Sequence, residues 1–259
     1  MRILFVADVV GQPGRAAVER LVPLLRDELD LDLVVINGEN IADGRGITGR
    51  LADALFAAGA DAVTLGNHTF ARRGVGEYLE REPRIVRPAN LLSGTPGRGW
   101  CVVPARDGTQ VAVINLLGAR YLEPACSPFE IVGPLVDEAA ERARVIIVDM
   151  HAEVTSEKVA MGRHLAGRVT AVIGTHTHVQ TNDPALLRGG TAYLTDAGMT
   201  GPHDSVIGVR SEIVLRRFLT QLPQKFETAE GDVRLEGALI VCDAATGRAT
   251  AIETVRRQL

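Results

Sequence analysis

Short runs of Val, Ile and Leu recur along the chain and alternate with stretches of mixed character. Residues 3–6, 33–36, 60–65, 85–89, 111–117, 145–148, 170–173 and 192–195 have the length and composition of buried strands. Between the first two, residues 15–29 place Ala16, Val18, Leu21, Leu24 and Leu25 near a helical period, and residues 51–58 predict a second helix. Strands that read as continuous apolar runs, separated by helices, predict a largely parallel sheet covered on both sides. Residues 94–99 are a loop by composition. The tail follows another pattern. Residues 212–218 and 238–242 read as strands, and Asp243-Ala244-Ala245-Thr246-Gly247 as a turn into 249–255, so an antiparallel part is expected. No linker, low-complexity tract or repeat divides the chain, which predicts one domain over 1–259.

Composition narrows the function classes. A hydrophobic fraction of 46% and 27 glycines over 259 residues suit a compact enzyme rather than a disordered chain. The formal charge of −4 without a basic block argues against duplex DNA, whose affinity rests on phosphate neutralisation. Aromatic residues at 4% give little support to a single-strand stacking surface. Cys101, Cys126 and Cys242 are scattered and odd in number, so neither a disulfide framework nor a zinc knuckle is indicated. Asp8 interrupts the first apolar run too early for a signal peptide, and no run is long enough to cross a bilayer. A cytoplasmic protein without a membrane partner is expected, with homo-oligomers left open.

Most of the candidate chemistry falls at the ends of the apolar runs. Asp8 follows the first, Glu39 and Asn40 the second, Asn67 and His68 the third, and His151 the run 145–148. The run 169–173 leads into Gly174-Thr175-His176-Thr177-His178. Ligands bind beyond the carboxyl ends of strands in open α/β sheets. Residues i and i+2 of a strand point the same way, so His176 and His178 are expected to face one site. Histidine is the commonest metal ligand and only six exist here. A buried carboxylate at Asp8 needs a partner, and Glu39 has two oxygens with which to bridge two cations. Adjacent residues seldom aim at one atom, so an Asn67 that binds metal frees His68 for acid–base work.

Other motifs are weaker. Gly44-Arg45-Gly46-Ile47-Thr48-Gly49 matches the dinucleotide fingerprint in form only. The strand ends near Ile36, seven residues separate it from Gly44, and no acidic residue follows the next strand. A mobile loop over the site is the expectation. Residues 196–205 are glycine-rich after a strand and are expected to wall a substrate pocket with backbone N–H groups, His203 taking no ligand role. No serine sits in a nucleophile elbow and no cysteine has a histidine beside it, which leaves a metal-activated water as the attacking group.

With these motifs in this order, the chain resembles the calcineurin-like metallophosphoesterases, and within them the bacterial YmdB-like branch. The resemblance rests on Phe5-Val6-Ala7-Asp8-Val9-Val10-Gly11, Asn37-Gly38-Glu39-Asn40-Ile41-Ala42, Gly66-Asn67-His68-Thr69, Gly174-Thr175-His176-Thr177-His178 and Asp196-Ala197-Gly198-Met199-Thr200-Gly201. Against the wider superfamily pattern, Val10 replaces a histidine, Glu39 an aspartate and Thr69 an acid, and Thr175 is an extra residue before His176. The resemblance implies an α/β fold, a four-layer α/β/β/α sandwich with mixed sheets. It implies two divalent transition metals, iron or manganese ahead of zinc. Asp8, Glu39, Asn40 and His178 would hold one, and Glu39, Asn67, His151 and His176 the other. It further implies hydrolysis of a phosphodiester, a 2′,3′- or 3′,5′-cyclic nucleotide, by a hydroxide bridging the binuclear centre, with His68 as general acid. A phosphomonoesterase or nucleotidase on the same centre, and a regulatory nucleotide-binding protein without turnover, are the alternatives.

Overall fold

The computed structural model describes residues 1–259. In chain order the elements are β1 (Arg2–Val6), β2 (Asp8–Val9), α1 (Gly11–Glu28), β3 (Leu33–Asn37), α2 (Gly49–Ala57), β4 (Ala62–Thr64), α3 (Val75–Arg81) and β5 (Ile85–Val86). They continue with β6 (Trp100–Pro104), β7 (Gln110–Leu117), α4 (Pro128–Ala140), β8 (Val145–His151), α5 (Thr155–Leu165) and β9 (Ala171–Thr175). The remainder is β10 (Ala185–Leu187), β11 (Thr191–Leu194), β12 (Met199–Pro202), α6 (Ser211–Thr220), β13 (Val233–Cys242) and β14 (Ala249–Gln258).

Two mixed sheets result. The first runs β2-β12-β13-β1-β3-β4-β5, with β14 also paired to β13. Its β1, β3, β4 and β5 are parallel, whereas β13 lies antiparallel to β1, β12 and β14. The second runs β10-β11-β9-β8-β7-β6, parallel from β11 to β7 and antiparallel at both edges.

Period-two alternation within the strands builds the layers. In β1, Ile3 and Phe5 share a core with Val113, Ile147 and Ala171 of the other sheet, while Leu4 and Val6 pack with Val18, Val22 and Leu25 of α1. In β7 and β8, Val113 and Ile147 point between the sheets, and Ile114 and Val148 point outward to Val132 and Val136 of α4 and Met161 of α5. Each such Val, Leu, Ile, Phe or Met side chain removed from water stabilises the fold by about 1.5–3 kcal/mol before chain entropy is counted. The result is the four-layer α/β/β/α sandwich, with a core between the sheets and one under each helical layer. No helix is long and apolar enough to cross a membrane.

The predicted hairpin in the tail is present as β13 and β14, closed by an Asp243 turn whose carboxylate accepts from Ala245 N at 2.8 Å. The strand expected at 212–218 is instead helix α6. Its apolar residues Ile213, Val214, Leu215, Phe218 and Leu219 fall on a helical spacing, and only Val214 of them is buried. The contiguous Ile213-Val214-Leu215 run mimics a short strand, which is where periodicity alone is ambiguous.

Candidate metal centre

The predicted residues gather where the carboxyl ends of the parallel strands of both sheets meet. Oxygen donors come from the first sheet and nitrogen donors from the second. Asp8 starts β2, directly beyond β1, Glu39 and Asn40 follow β3, and Asn67 follows β4. His151 ends β8, while His176 and His178 lie just past the end of β9.

Glu39 stands at the middle. Its Oε1 is 3.1 Å from His151 Nε2 and accepts from Asn40 Nδ2 at 3.1 Å, and its Oε2 accepts from the backbone N of His68 at 3.1 Å. On one side of it, His151 Nε2 is 3.1 Å from Asn67 Oδ1 and 3.2 Å from His176 Nδ1. On the other, His178 Nε2 is 3.4 Å from Asp8 Oδ2 and 3.2 Å from Asn40 Nδ2. As placed, Asn40 therefore turns its amide nitrogen, not its oxygen, to the cluster; a half-turn of the amide exchanges them. Gly66 is required by this closeness, since a Cβ there would lie 2.3 Å from both Glu39 Oε2 and His151 Nε2.

All three imidazoles are oriented from behind. A carbonyl oxygen only accepts, so the 2.9 Å contact of His178 Nδ1 with Ile207 O puts the proton on Nδ1. His176 Nε2 is tied at 2.9 Å to Glu153 Oε2 in the same sense. His151 Nδ1 lies 2.9 Å from Thr175 Oγ1, whose own proton goes to Asp149 Oδ1 at 2.6 Å. Each ring thus presents its other nitrogen inward, an arrangement that fixes tautomer and orientation in metal-binding histidines. His176 and His178 do not reach the site by strand alternation as expected. β9 ends at Thr175, and the two residues adopt φ of 97° and 63°, left-handed values that cost a non-glycine residue about 1–3 kcal/mol and cluster at functional sites.

The electrostatics ask for a cation. Asp8, Glu39 and His151 are fully buried, and Asp8 Oδ2 has no hydrogen-bond partner. Burial raises the Glu39 carboxyl, but His151 and His68 outweigh it and hold it at about 2. Burial likewise lowers His151, and Glu39 and Asp8 reverse this, pushing it up to about 9. Burial and the neighbouring His151 charge push His176 down to about 4. Protein alone answers the carboxylates with a proton on His151, the role a divalent ion fills when bound. Glu39, His151 and His176 each offer a ligand atom within 4.8 Å of the others. This mixed set of imidazole nitrogens with carboxylate and amide oxygens fits manganese, iron or zinc better than the all-oxygen preference of calcium.

Asp149 is the residue that the apolar-run reading misses. It is fully buried and accepts from Thr64 Oγ1 at 2.5 Å, Thr175 Oγ1 at 2.6 Å and Asn37 Nδ2 at 3.1 Å. These donors sit on β4, β9 and β3, the strands that lead to Asn67, His176 and Glu39. Lys158 and Asp196 are a second such support. The fully buried ammonium meets Asp196 Oδ2 at 2.6 Å, and that oxygen also accepts from Thr177 Oγ1 at 2.7 Å, between the two histidines.

A cleft of about 1110 Å³ opens above the cluster, with Glu39, His176 and His178 in its floor and His68 in its wall. His68 lies outside the ligand cluster. Two expectations are corrected. Residues 196–205 do not wall the cleft, because this segment is committed to β12 and to the Asp196 anchor; Ile207, Gly208 and Val209 line it instead. The loop at 44–46 is not free over the site but pinned, Ala42 N donating to Gly46 O at 2.9 Å and Gly44 N to Asn40 O at 3.0 Å. His203 bonds Met199 O at 3.1 Å, away from the cluster.

Residues 4–255 match the family described as YmdB-like protein. The 2′,3′-cyclic-nucleotide 2′-phosphodiesterase of Bacillus subtilis strain 168 is 47% identical over 255 residues, covering 98% of this chain and 96% of that protein. A hypothetical protein from Thermus thermophilus superposes with a TM-score of 0.93 at 41% identity, covering 100% of this chain and 99% of the other. A structure described as a novel phosphatase of Mycoplasma pneumoniae gives a TM-score of 0.92 at 31% identity, covering 100% and 93%.

Proposed function

The chain belongs to the YmdB-like family, and from that premise we propose that it is a metal-dependent phosphodiesterase acting on nucleoside 2′,3′-cyclic phosphates. The observation that carries this reading is the trio of imidazoles, each tied by one nitrogen to an outer oxygen and turning the other toward buried carboxylates. The activity named for the Bacillus subtilis relative supports the choice of a cyclic diester. Because both sheets contribute, the whole chain is taken to act as one domain.

Asp8, Glu39, Asn40 and His178 would hold one ion, and Glu39, Asn67, His151 and His176 the other, with iron or manganese preferred. When bound, such ions supply positive charge to the phosphoryl oxygens and acidify water for attack at neutral pH. The remaining work is done by side chains. Glu39 would belong to both ligand sets, since its two carboxylate oxygens face His151 and the backbone of His68 at the middle of the cluster. His68, held by its backbone N–H on Glu39 Oε2, reaches the cleft with an imidazole that is not among the candidate ligand group of Glu39, His151 and His176. It would give its proton to the ribose O2′ as the P–O2′ bond breaks, leaving a nucleoside 3′-phosphate.

Steady-state rates on 2′,3′-cyclic AMP, 3′,5′-cyclic AMP and 3′-AMP decide the matter. The reading requires the 2′,3′ diester to be preferred clearly over both others. A phosphomonoesterase, which the description of the Mycoplasma pneumoniae structure favours, requires 3′-AMP to be the best substrate. Absence of turnover on all of them with manganese or iron supplied would leave a binding protein.

A further inference from the structure

The glycine-flanked Arg45 has no part in the ligand cluster, yet its backbone on the cleft wall is held from several sides. Gly44 and Gly46 adopt φ of 82° and 81°, values that other residues reach only at a cost. Arg45 N donates to Ala42 O at 3.1 Å, and Arg72 Nε holds Arg45 O at 2.9 Å. A Cβ on Gly46 would press within 3.0 Å of Ala71 and Arg72. The bracket therefore fixes the backbone of Arg45 while its own side chain, exposed in the cleft that His68 also lines, forms neither an ion pair nor a hydrogen bond.

Phe226 lines the same cleft. It contributes the one six-membered aromatic ring of the lining, is 45% exposed, and has the guanidinium of Arg217 at 5.2 Å from its centroid. A chain with only 4% aromatic residues has thus placed one on an open wall above the candidate metal centre. The cleft's volume of about 1110 Å³ also exceeds what a bare phosphodiester would fill.

Resting on the phosphodiesterase reading, we infer that the cleft reads its substrate as a nucleotide at two points: Arg45 takes the phosphoryl charge, and Phe226, backed by Arg217, stacks the base. A guanidinium offers a planar fork of donors suited to phosphoryl oxygens. An aromatic face accepts any base, so adenine and guanine are taken alike and the specificity is for the presence of a base.

The test compares 2′,3′-cyclic AMP with ribose 2′,3′-cyclic phosphate, which has no base, on the metal-loaded enzyme. Phe226→Ala is expected to lower kcat/KM for cyclic AMP about 10- to 100-fold through KM, to leave the base-free diester unchanged, and to be rescued by Phe226→Trp. Arg45→Ala is expected to lower both substrates about 10- to 100-fold, with Arg45→Lys restoring part of the loss. Equal effects of Phe226→Ala on the two substrates, or none on either, overturn the base contact. Unchanged kinetics in Arg45→Ala overturns the phosphate contact. Calorimetric binding of AMP and ribose 5-phosphate to the same proteins separates this inference from the reading beneath it. If the wild type cleaves neither diester, the phosphodiesterase reading fails, and the loss of AMP affinity in Phe226→Ala and of both ligands in Arg45→Ala still decides the two contacts.

Discussion

Thr175 places its hydroxyl between His151 and Asp149, 2.9 Å from the imidazole Nδ1 and 2.6 Å from the carboxylate. A hydroxyl has one proton to give. Given to Asp149, it leaves a lone pair for Nδ1–H and frees Nε2 toward Glu39 and Asn67. Thr175→Val keeps the shape and removes the relay, so metal affinity is expected to fall about 10- to 100-fold. Thr175→Ser is expected to keep it. Metal per chain after dialysis against graded chelator measures both.

Chelation tests the centre as a whole. Asp8, Glu39 and His151 are buried together, and removing a cation exposes the repulsion of the carboxylates and their desolvation. With metal at about 100 times its dissociation constant, stripping it costs about 2.7 kcal/mol, on the order of 5–10 °C in Tm for a chain this long. Readdition of manganese restores the midpoint. A midpoint indifferent to chelator in protein that carries metal would remove these residues from the ligand set, as would full metal content in His151→Ala.

If His68 is the general acid, its loss shows most where the departing oxygen needs a proton most. His68→Ala is expected to slow a cyclic nucleotide by about 100-fold or more and an activated nitrophenyl diester far less. Equal slowing of both assigns His68 another role.

The buried pair of Lys158 and Asp196 has a separable signature. Burial raises the Asp196 carboxyl, and Lys158 opposes the rise. Asp196→Asn strands a buried ammonium and is expected to cost about 3–5 kcal/mol in urea unfolding. The double change Lys158→Met with Asp196→Asn recovers most of that, yet still loses activity, because Thr177 then has no carboxylate to hold it between the two histidines.

Thiol labelling reports the packing independently. Burial pushes Cys101 up to about 12 and Cys242 up to about 11, so neither offers an appreciable thiolate at about pH 8. Half-buried Cys126 alone is expected to react rapidly in the native state, with three thiols reacting in urea. Raising the pH to about 9 adds none, since it stays below both values.

Strand positions, and the polar residues that gather at the strand ends, are legible in the sequence because the apolar runs are buried on both faces and a polar residue marks where the sheet stops. Asp8, Glu39 and Asn67 follow that rule. Asp149 escapes it. The apolar run 145–148 stops where Asp149 begins, but β8 continues through Asp149 to His151, because Thr64, Thr175 and Asn37 satisfy the carboxylate inside the sandwich. Two of those partners come from the other sheet, so nothing local announces them. Thr175, an extra residue in the motif, is a hydrogen-bond relay rather than a spacer. Helix α6 reads as a strand because most of its apolar residues serve no buried face, so burial cannot arbitrate between periods.

The division of donors between the layers has a further consequence. Asp8, Glu39, Asn40 and Asn67 belong to one leaf of the sandwich, and His151, His176 and His178 to the other. Neither leaf alone offers the mixed donor set, so a cation held by both would be a clamp across the seam, and its affinity would gauge how the leaves are seated. A substitution far from the cleft, such as Ile147→Val in the layer between the sheets, should then register as a change in metal affinity before it registers in the chemistry.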